Sequence, residues 1–400
     1  MICCIIHDST FNANKSELTF TVESIDGIPT EDGFIFMPPG YMHLDCSIHR
    51  VSKKRTSPFY LVSVIIFNAD LDQIKKMQER ISLEKPKAGF SIEINKYLQT
   101  PILKRLNSFK QLVQFTSPER IKDLILENIR LGSILVPHPP QQALSLSFFG
   151  GHPIIGNSFV YPKDKNGEYP VFLCQIHLND INQWLECSKE IKKDGVLLLF
   201  GVIKKEASLT YINDLFVQFS EDISSPIAHA IPEALSQYGE FQKNDMMLFE
   251  KVCIPPFESS LLPYEQMNDD ETQYYFNLES LVSLGEILIE GLKFLGHPNQ
   301  VQTCLLLEST LKTNKKGWYD PNYDPKDADA LEQVLLEQGE LCKDWRLLFE
   351  IDLMNKQFRE VSGPQKEINN YLDGCLYLMI KQSDLDNLDF TNTVTIYQST

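Results

Sequence analysis

Four hundred residues and 45.9 kDa exceed what one hydrophobic core usually organises, so the chain reads as two domains and not as one small module. With 43% hydrophobic and 23% charged residues it has the apolar mass for sizeable cores, which excludes a disordered chain. Residues 1–140 hold 17 Lys+Arg and 15 Asp+Glu, against 20 and 39 in residues 141–400, so the two parts carry +2 and −19 of the net −17. An acidic second part repels phosphate backbones, and no nucleic-acid partner is expected.

The start, MICCIIHD, lacks a basic n-region and reads as a buried first strand, not as a signal peptide. Short antiparallel strands follow at 18–22 (LTFTV) and 41–51, separated by the turn signals Ile28-Pro29, Asp32-Gly33 and Pro38-Pro39-Gly40, with a longer apolar strand at 59–67. Asp70 caps a helix carrying Leu71, Ile74 and Met77 on one face. Two further helices form a hairpin. In 94–115, Ile94, Leu98, Ile102, Leu106, Phe109 and Val113 recur at helical spacing, and Ser117-Pro118-Glu119 starts a second helix with Ile121, Leu124, Ile125 and Ile129 inward. The prolines of VPHPPQQ then mark a linker at 137–142, where the charge balance also changes.

The segments GFIFMPPGYMHLDC (33–46), SPFYL (57–61), Asp70-Leu71 and LKRLNSFKQLVQFTSPERIKDLILENI (103–129) resemble the N-terminal ligand-sensing domain of AraC-type regulators. The resemblance implies a small cupin-like barrel followed by helices, in a sensing or dimerisation role. The helix-turn-helix pair that family places next does not follow residue 140. His43 and His49 would share a strand face but lack a third ligand, so no metal is expected there.

Beyond the linker the sequence repeats itself. Phe149-Gly150-Gly151-His152-Pro153 is echoed by Phe294-Leu295-Gly296-His297-Pro298. VFLCQIHLNDI (171–181) is echoed by RLLFEIDLMN (346–355), and Asp194-Gly195 before VLLLFGV by Asp373-Gly374 before CLYLMIK. Three motifs in one order predict a duplicated β-unit, each with a Gly-His-Pro turn, an apolar strand buried on both sides, and a tight Asp-Gly turn into the next strand.

Gly150-Gly151-His152-Pro153-Ile154-Ile155-Gly156 with Tyr161-Pro162, Leu173-Cys174-Gln175-Ile176-His177-Leu178, Gly195 to Phe200, Leu295-Gly296-His297-Pro298 and Leu348-Phe349-Glu350-Ile351-Asp352 together resemble the YwqG-like family over roughly residues 145–400. That resemblance implies a β-rich fold and carries over no catalytic residues. The predicted architecture is therefore α+β and β-rich: a cupin-like small barrel with a helical hairpin over 1–136, a linker at 137–142, and a duplicated YwqG-like β-sheet domain over 143–400.

Two symmetric pairs are the ligand-binding candidates. His152 and His297 occupy matching corners, where they would either face each other across a pseudo-twofold to bind an anion or metal, or each satisfy a buried turn carbonyl. Gln175 and Glu350 sit at equivalent places on apolar strands and must be hydrogen-bonded, as network or cavity-lining groups. The acidic stretch from Asp320 to Asp329 fails as a calcium loop, because Pro325 stands where glycine is needed and Glu332 falls one residue late. It reads as an acidic loop before a helix at 328–342.

No G-x-S-x-G, P-loop or G-x-G-x-x-G motif is present, and the nine scattered cysteines lack any C-x-x-C. The expectation is a cytoplasmic, non-catalytic binding or regulatory protein that recognises a protein partner or a small ligand, with no cofactor, metal or membrane partner. Alternatives are a hydrolase or transferase with a cleft between the repeat halves, and a diverged transcriptional regulator lacking its helix-turn-helix.

Overall fold

A computed structural model describes residues 2–12, 17–24, 34–37, 46–53, 59–66, 87–93, 102–137, 147–181, 194–206, 209–223, 225–238, 240–287, 292–319, 341–353, 361–362 and 374–399. The fold is α+β and mainly sheet. Contacts divide it into one unit of Met1–Ile129 with Pro263–Gly285, and a second of Arg130–Leu262 with Glu286–Thr400.

In the first unit, β1 (Ile2–Asn12), β2 (Glu17–Ser24), β3 (Phe34–Met37), β4 (Cys46–Lys53), β5 (Phe59–Ile66) and β6 (Lys87–Glu93) form an antiparallel sheet of order β3-β6-β1-β2-β5-β4. The edge strands β3 and β4 approach one another, yet no ladder joins them among the described residues. Among the described residues these strands form a six-stranded sheet and not the closed cupin-like barrel expected here. The expected helix after Asp70 and the start of the one at 94 lie outside the described residues.

The hairpin is present as α1 (Ile102–Thr116) and α2 (Glu119–Glu127), with Ile102, Phe109, Val113, Ile121 and Ile125 buried. The chain returns to this unit with α3 (Asp269–Ile287), capped reciprocally: Asn268 Oδ1 accepts the Glu271 amide, and Glu271 Oε2 accepts that of Asn268. Glu271 also pairs with Arg120, while Ser117 donates to Tyr274 Oη at 2.8 Å. One side chain therefore caps α3 and ties it to the hairpin.

In the second unit ten strands make one antiparallel sheet. They are β7 (Arg130–Pro137), β8 (Phe148–Phe149), β10 (Val171–His177), β11 (Val196–Glu206), β12 (Leu209–Ser220), β15 (Asn244–Cys253), β16 (Leu292–Leu295), β17 (Trp345–Asp352), β19 (Cys375–Lys381) and β20 (Val394–Gln398). Small pairs complete the strands: β9 (Ile154–Ile155) with β13 (Ile227–Ala228), and β14 (Glu240–Phe241) with β18 (Val361–Ser362). Helix α4 (Leu305–Asn314) packs on β17 and β20, and α5 (Gln382–Asp386) follows β19.

The sheet order, β12-β11-β10-β8-β15-β7-β16-β17-β19-β20, is a palindrome about the central pair β15 and β7. Register confirms the duplication residue by residue. Cys174 opposes Phe149 as Phe349 opposes Phe294, and Gln175 opposes Phe148 as Glu350 opposes Lys293. The ladder slips at Leu173 and again at its counterpart Leu348. Leu178 donates to Gly195 O as Leu353 donates to Gly374 O.

Matching cores pack on these wings. Phe148, Phe172, Val196, Leu198 and Phe200 cluster in the first copy, and Leu347, Cys375, Tyr377 and Met379 in the second. Every residue of β10 is buried, as a strand covered on both faces requires.

β7 lies at the centre of this sheet, between β15 and β16. The division between units accordingly falls at Ile129 and Arg130, ahead of the prolines at 137–142, of which Pro137 closes β7 and 138–142 lie outside the described residues.

Candidate functional site

The two Gly-His-Pro corners share a backbone conformation. Gly150 and Gly151 have φ of 70° and 68°; their counterparts Leu295 and Gly296 have 58° and 84°. The first copy thus uses glycine where the second holds a buried leucine in the left-handed region, at a cost of about 1–2 kcal/mol.

Each corner is then tied down by the polar residue of the following strand. Gln175 Oε1 accepts the Ile154 amide at 2.8 Å, and Glu350 Oε2 accepts the Asn299 amide at 2.8 Å. Ile154 and Asn299 stand two residues after His152 and His297, so the same bond recurs in both copies. Gln175 and Glu350 hold loops in place.

The histidines do not meet. Phe149 pairs with Asn244 at one end of β15, whereas Leu295 pairs with Gly132, which opposes Lys251. Seven residues of β15 separate these rows, roughly 23 Å at about 3.3 Å per residue. The pseudo-twofold therefore puts the corners at opposite ends of the sheet, and they form no shared anion or metal site. His152 Nδ1 lies 3.2 Å from His229 O, the turn-carbonyl role. His229 Nε2 in turn reaches Gly156 O at 3.0 Å, and its ring packs edge-on against Phe159. His229 was not legible as a corner residue, since nothing near it repeats. His297 is buried.

Around Glu350 the second copy differs in chemistry from the first. Phe148, Ile154, Val196 and Leu198 of the first copy correspond to Lys293, Asn299, Cys375 and Tyr377 of the second. Lys293 Nζ donates to Asn299 Oδ1 at 2.9 Å and lies 3.7 Å from Glu350 Oε2, and Tyr377 Oη donates to Asn299 O.

Lys251 joins this group from β15, close enough to Lys293 and Glu350 for their charges to act on it. Lys251, Lys293 and Glu350 are 5%, 4% and 7% exposed, so three ionisable side chains share a nearly dry space. Burial, then the neighbouring Lys293 charge, push Lys251 down to about 7. Burial also pushes Cys375 up to about 12 and holds the Tyr377 phenol well above its ordinary range. The lysines escaped sequence reading because Lys293 is a single charge in an apolar run and Lys251 stands beside Glu250 on a distant strand, and only register brings them together.

A separate groove opens where the sheet's outer edges meet. Thr395 Oγ1 on β20 accepts the Leu215 amide of β12 at 2.9 Å and donates to Leu215 O at 3.2 Å, joining the edges at one point. Beside it lies a groove of about 720 Å³. Lys163, Lys165, Asp214, Phe216 and Gln218 line it from the first copy, with Phe390 and Thr393 from the second.

A family model described as Domain of unknown function (DUF1963) matches residues 147–399. The chain belongs to the DUF1963 family. YwqG-like proteins are members of that family, and the DUF1963 match covers both copies of the repeat. No curated protein matches the chain. Strand β7 precedes the DUF1963 match yet forms the centre of its sheet. Among the described residues no group of His, Cys, Asp or Glu is arranged to hold a metal, and no helix is long and apolar enough to cross a membrane.

Proposed function

We propose that the DUF1963 domain is a non-catalytic binding module that seats a small ligand, apolar in body and polar at one end, in the groove between its outer strands. The observation that carries this reading is the groove: its volume suits a small molecule, and both repeat copies contribute to its wall. Asp164 accepts the Asn166 and Glu168 amides, Asp214 the Leu215 amide, and Asp389 accepts from Thr391. Lys163 and Lys165, which line the groove with Phe216, Phe219 and Phe390, are the cations that would meet the polar end of the ligand. Cys174, Cys253, Cys304, Cys342 and Cys375 are free thiols, which supports a cytoplasmic setting, and the acidic charge of 141–400 argues against nucleic acid.

A fragment screen by thermal shift and ligand-observed NMR on the full chain tests the reading. Fragments are expected to bind, to be weakened at least tenfold by Gln218→Trp in the groove, and to be unaffected by Asn157→Trp at an exposed corner position. No binding, or binding that survives Q218W, overturns it.

A further inference from the structure

We infer that the groove takes the carboxyl-terminal end of a peptide chain, added as an extended strand along the free edge of β12 with its terminal carboxylate toward Lys165. That assignment rests on the groove being the binding site, and it names the class of molecule the groove holds.

β12 stands edge-on in the groove. Every residue from 213 to 219 lines it. Successive side chains of a strand point to opposite faces, so an unbroken run of lining residues presents the strand's edge and not one of its faces. Leu215 fixes which backbone groups look out from that edge: its N–H donates to Thr395 Oγ1, and its C=O accepts from the same hydroxyl. The register with β11 runs without a shift from Leu215 to Phe219, so the N–H and C=O of Val217 and Phe219 point the same way as those of Leu215. No hydrogen bond meets them among the described residues. β20 starts only at Val394, and the wall opposite is formed by residues 388–393.

Donors and acceptors therefore alternate along this edge at the spacing of a strand, about 6.6 Å for two residues. An extended polypeptide carries the matching row. Phe216-Val217-Gln218-Phe219 holds no charge and no proline of the kind that guards a free edge against a partner strand. Gln218 supplies one more acceptor, because its Oε1 is buried and takes no hydrogen bond among the described residues. From Leu215 to Phe219 the edge spans about 13 Å, room for about four extended residues. Their side chains would fall alternately beside Phe216 and Gln218 on one face and Val217 and Phe219 on the other, which suits apolar residues.

The closed end of the groove sets the direction. The Leu215–Thr395 contact blocks the edge, so an added strand has to stop there. Lys312 of α4 donates to Thr395 O at that point, and Lys165 of the groove wall lies close enough for its charge to act on Lys312. Asp214 and Glu308, the acidic neighbours of Lys312, already accept hydrogen bonds from the Leu215 amide and from Tyr319 Oη. A chain end that stops beside two ammonium groups is better matched as a carboxylate than as an amine.

Hydrogen exchange of the full-length protein tests this, with a pool of N-acetylated tetrapeptides randomised over Val, Leu, Phe, Ser and Thr and bearing a free carboxylate. The same pool amidated at the C-terminus is the comparison. The free-acid pool is expected to slow exchange of the Val217 and Phe219 amides at least fivefold, resolved to single amides by electron-transfer fragmentation. It should half-saturate at a concentration about tenfold lower than the amidated pool, the worth of a charge-assisted contact. Lys165→Gln, at an exposed position, should bring the two pools level. Val217→Pro deletes an edge N–H that β11 does not use, and should abolish tetrapeptide binding while fragments still enter the groove. Fragments that bind while the tetrapeptides leave both amides unprotected, or an amidated pool that protects them equally well, overturn this inference and leave the groove reading standing. A groove that takes neither fragment nor peptide overturns both.

Discussion

Replacing Lys251 with methionine should stabilise the second unit at neutral pH, and the gain should shrink as pH rises. Lys251 titrates near 7 in the folded chain against an ordinary value of 10.5, because folding removes its ammonium from water and sets it beside Lys293. Between those two values the unfolded chain binds a proton that the folded chain does not, so wild-type stability rises with pH across that window and is flat outside it. At about 1.4 kcal/mol per pH unit, the difference amounts to at most about 5 kcal/mol, fully present below pH 7 and gone above 10.5. Methionine fills similar volume without a charge, and leaves Lys293 with Glu350 as a closer-balanced pair.

Urea unfolding followed by tryptophan fluorescence measures this cleanly, because the three tryptophans, Trp184, Trp318 and Trp345, all fall in the chain ranges of the second unit. The expected result is a variant more stable by on the order of 2–5 kcal/mol at pH 7, with the two stability curves converging by pH 10. A variant less stable at pH 7, or curves that run parallel from pH 7 to 10, would refute the reasoning.

Other substitutions probe the repeat. Gln175→Leu removes the acceptor of the Ile154 amide and should cost about 1–3 kcal/mol, read by the same urea titration. Glu350→Leu breaks the matching bond and also strands Lys293 and Lys251 without their carboxylate, so its cost should be larger, about 3–5 kcal/mol. Gly150→Ala places a methyl 2.4 Å from Gln242 O at a φ of 70°, and should lower stability by more than about 2 kcal/mol and depress the melting temperature.

The repeat was legible because its signals are local. Two Gly-His-Pro turns and two Asp-Gly turns carry their backbone requirements in adjacent residues, and the strands after them are apolar enough to be read as buried. Gln175 and Glu350 stood out as polar residues within those strands, and both make the hydrogen bonds that burial demands. Strand β7 was hidden because the helical spacing of Ile121, Leu124 and Ile125 runs on to Ile129, and the prolines of 137–142 offered a stronger boundary than the Arg130 junction. The return of Pro263–Gly285 to the first unit leaves no local mark, since it depends on partners such as Ser117 and Arg120 far away in sequence. The lysine cluster was invisible for a related reason: Lys251 and Lys293 become neighbours only through the pairing of β15 and β16 with β7.

The separation of the two corners, measured by double electron–electron resonance, tests the duplicated architecture most directly. Nitroxides on genetically encoded ketone side chains at Asn157 and Gln302, both exposed and both five residues past a corner histidine, avoid the nine cysteines. Gly156 donates to Asp222 O just past the end of β12, while Val301 donates to Gln398 Oε1, which the Leu215–Thr395 contact sets level with Ile212. Ten residues of extended chain lie between those levels, so a narrow distribution centred at roughly 30 Å is predicted. A mean below about 15 Å would bring the corners together and contradict the pseudo-twofold sheet, allowing for about 3.3 Å per strand residue.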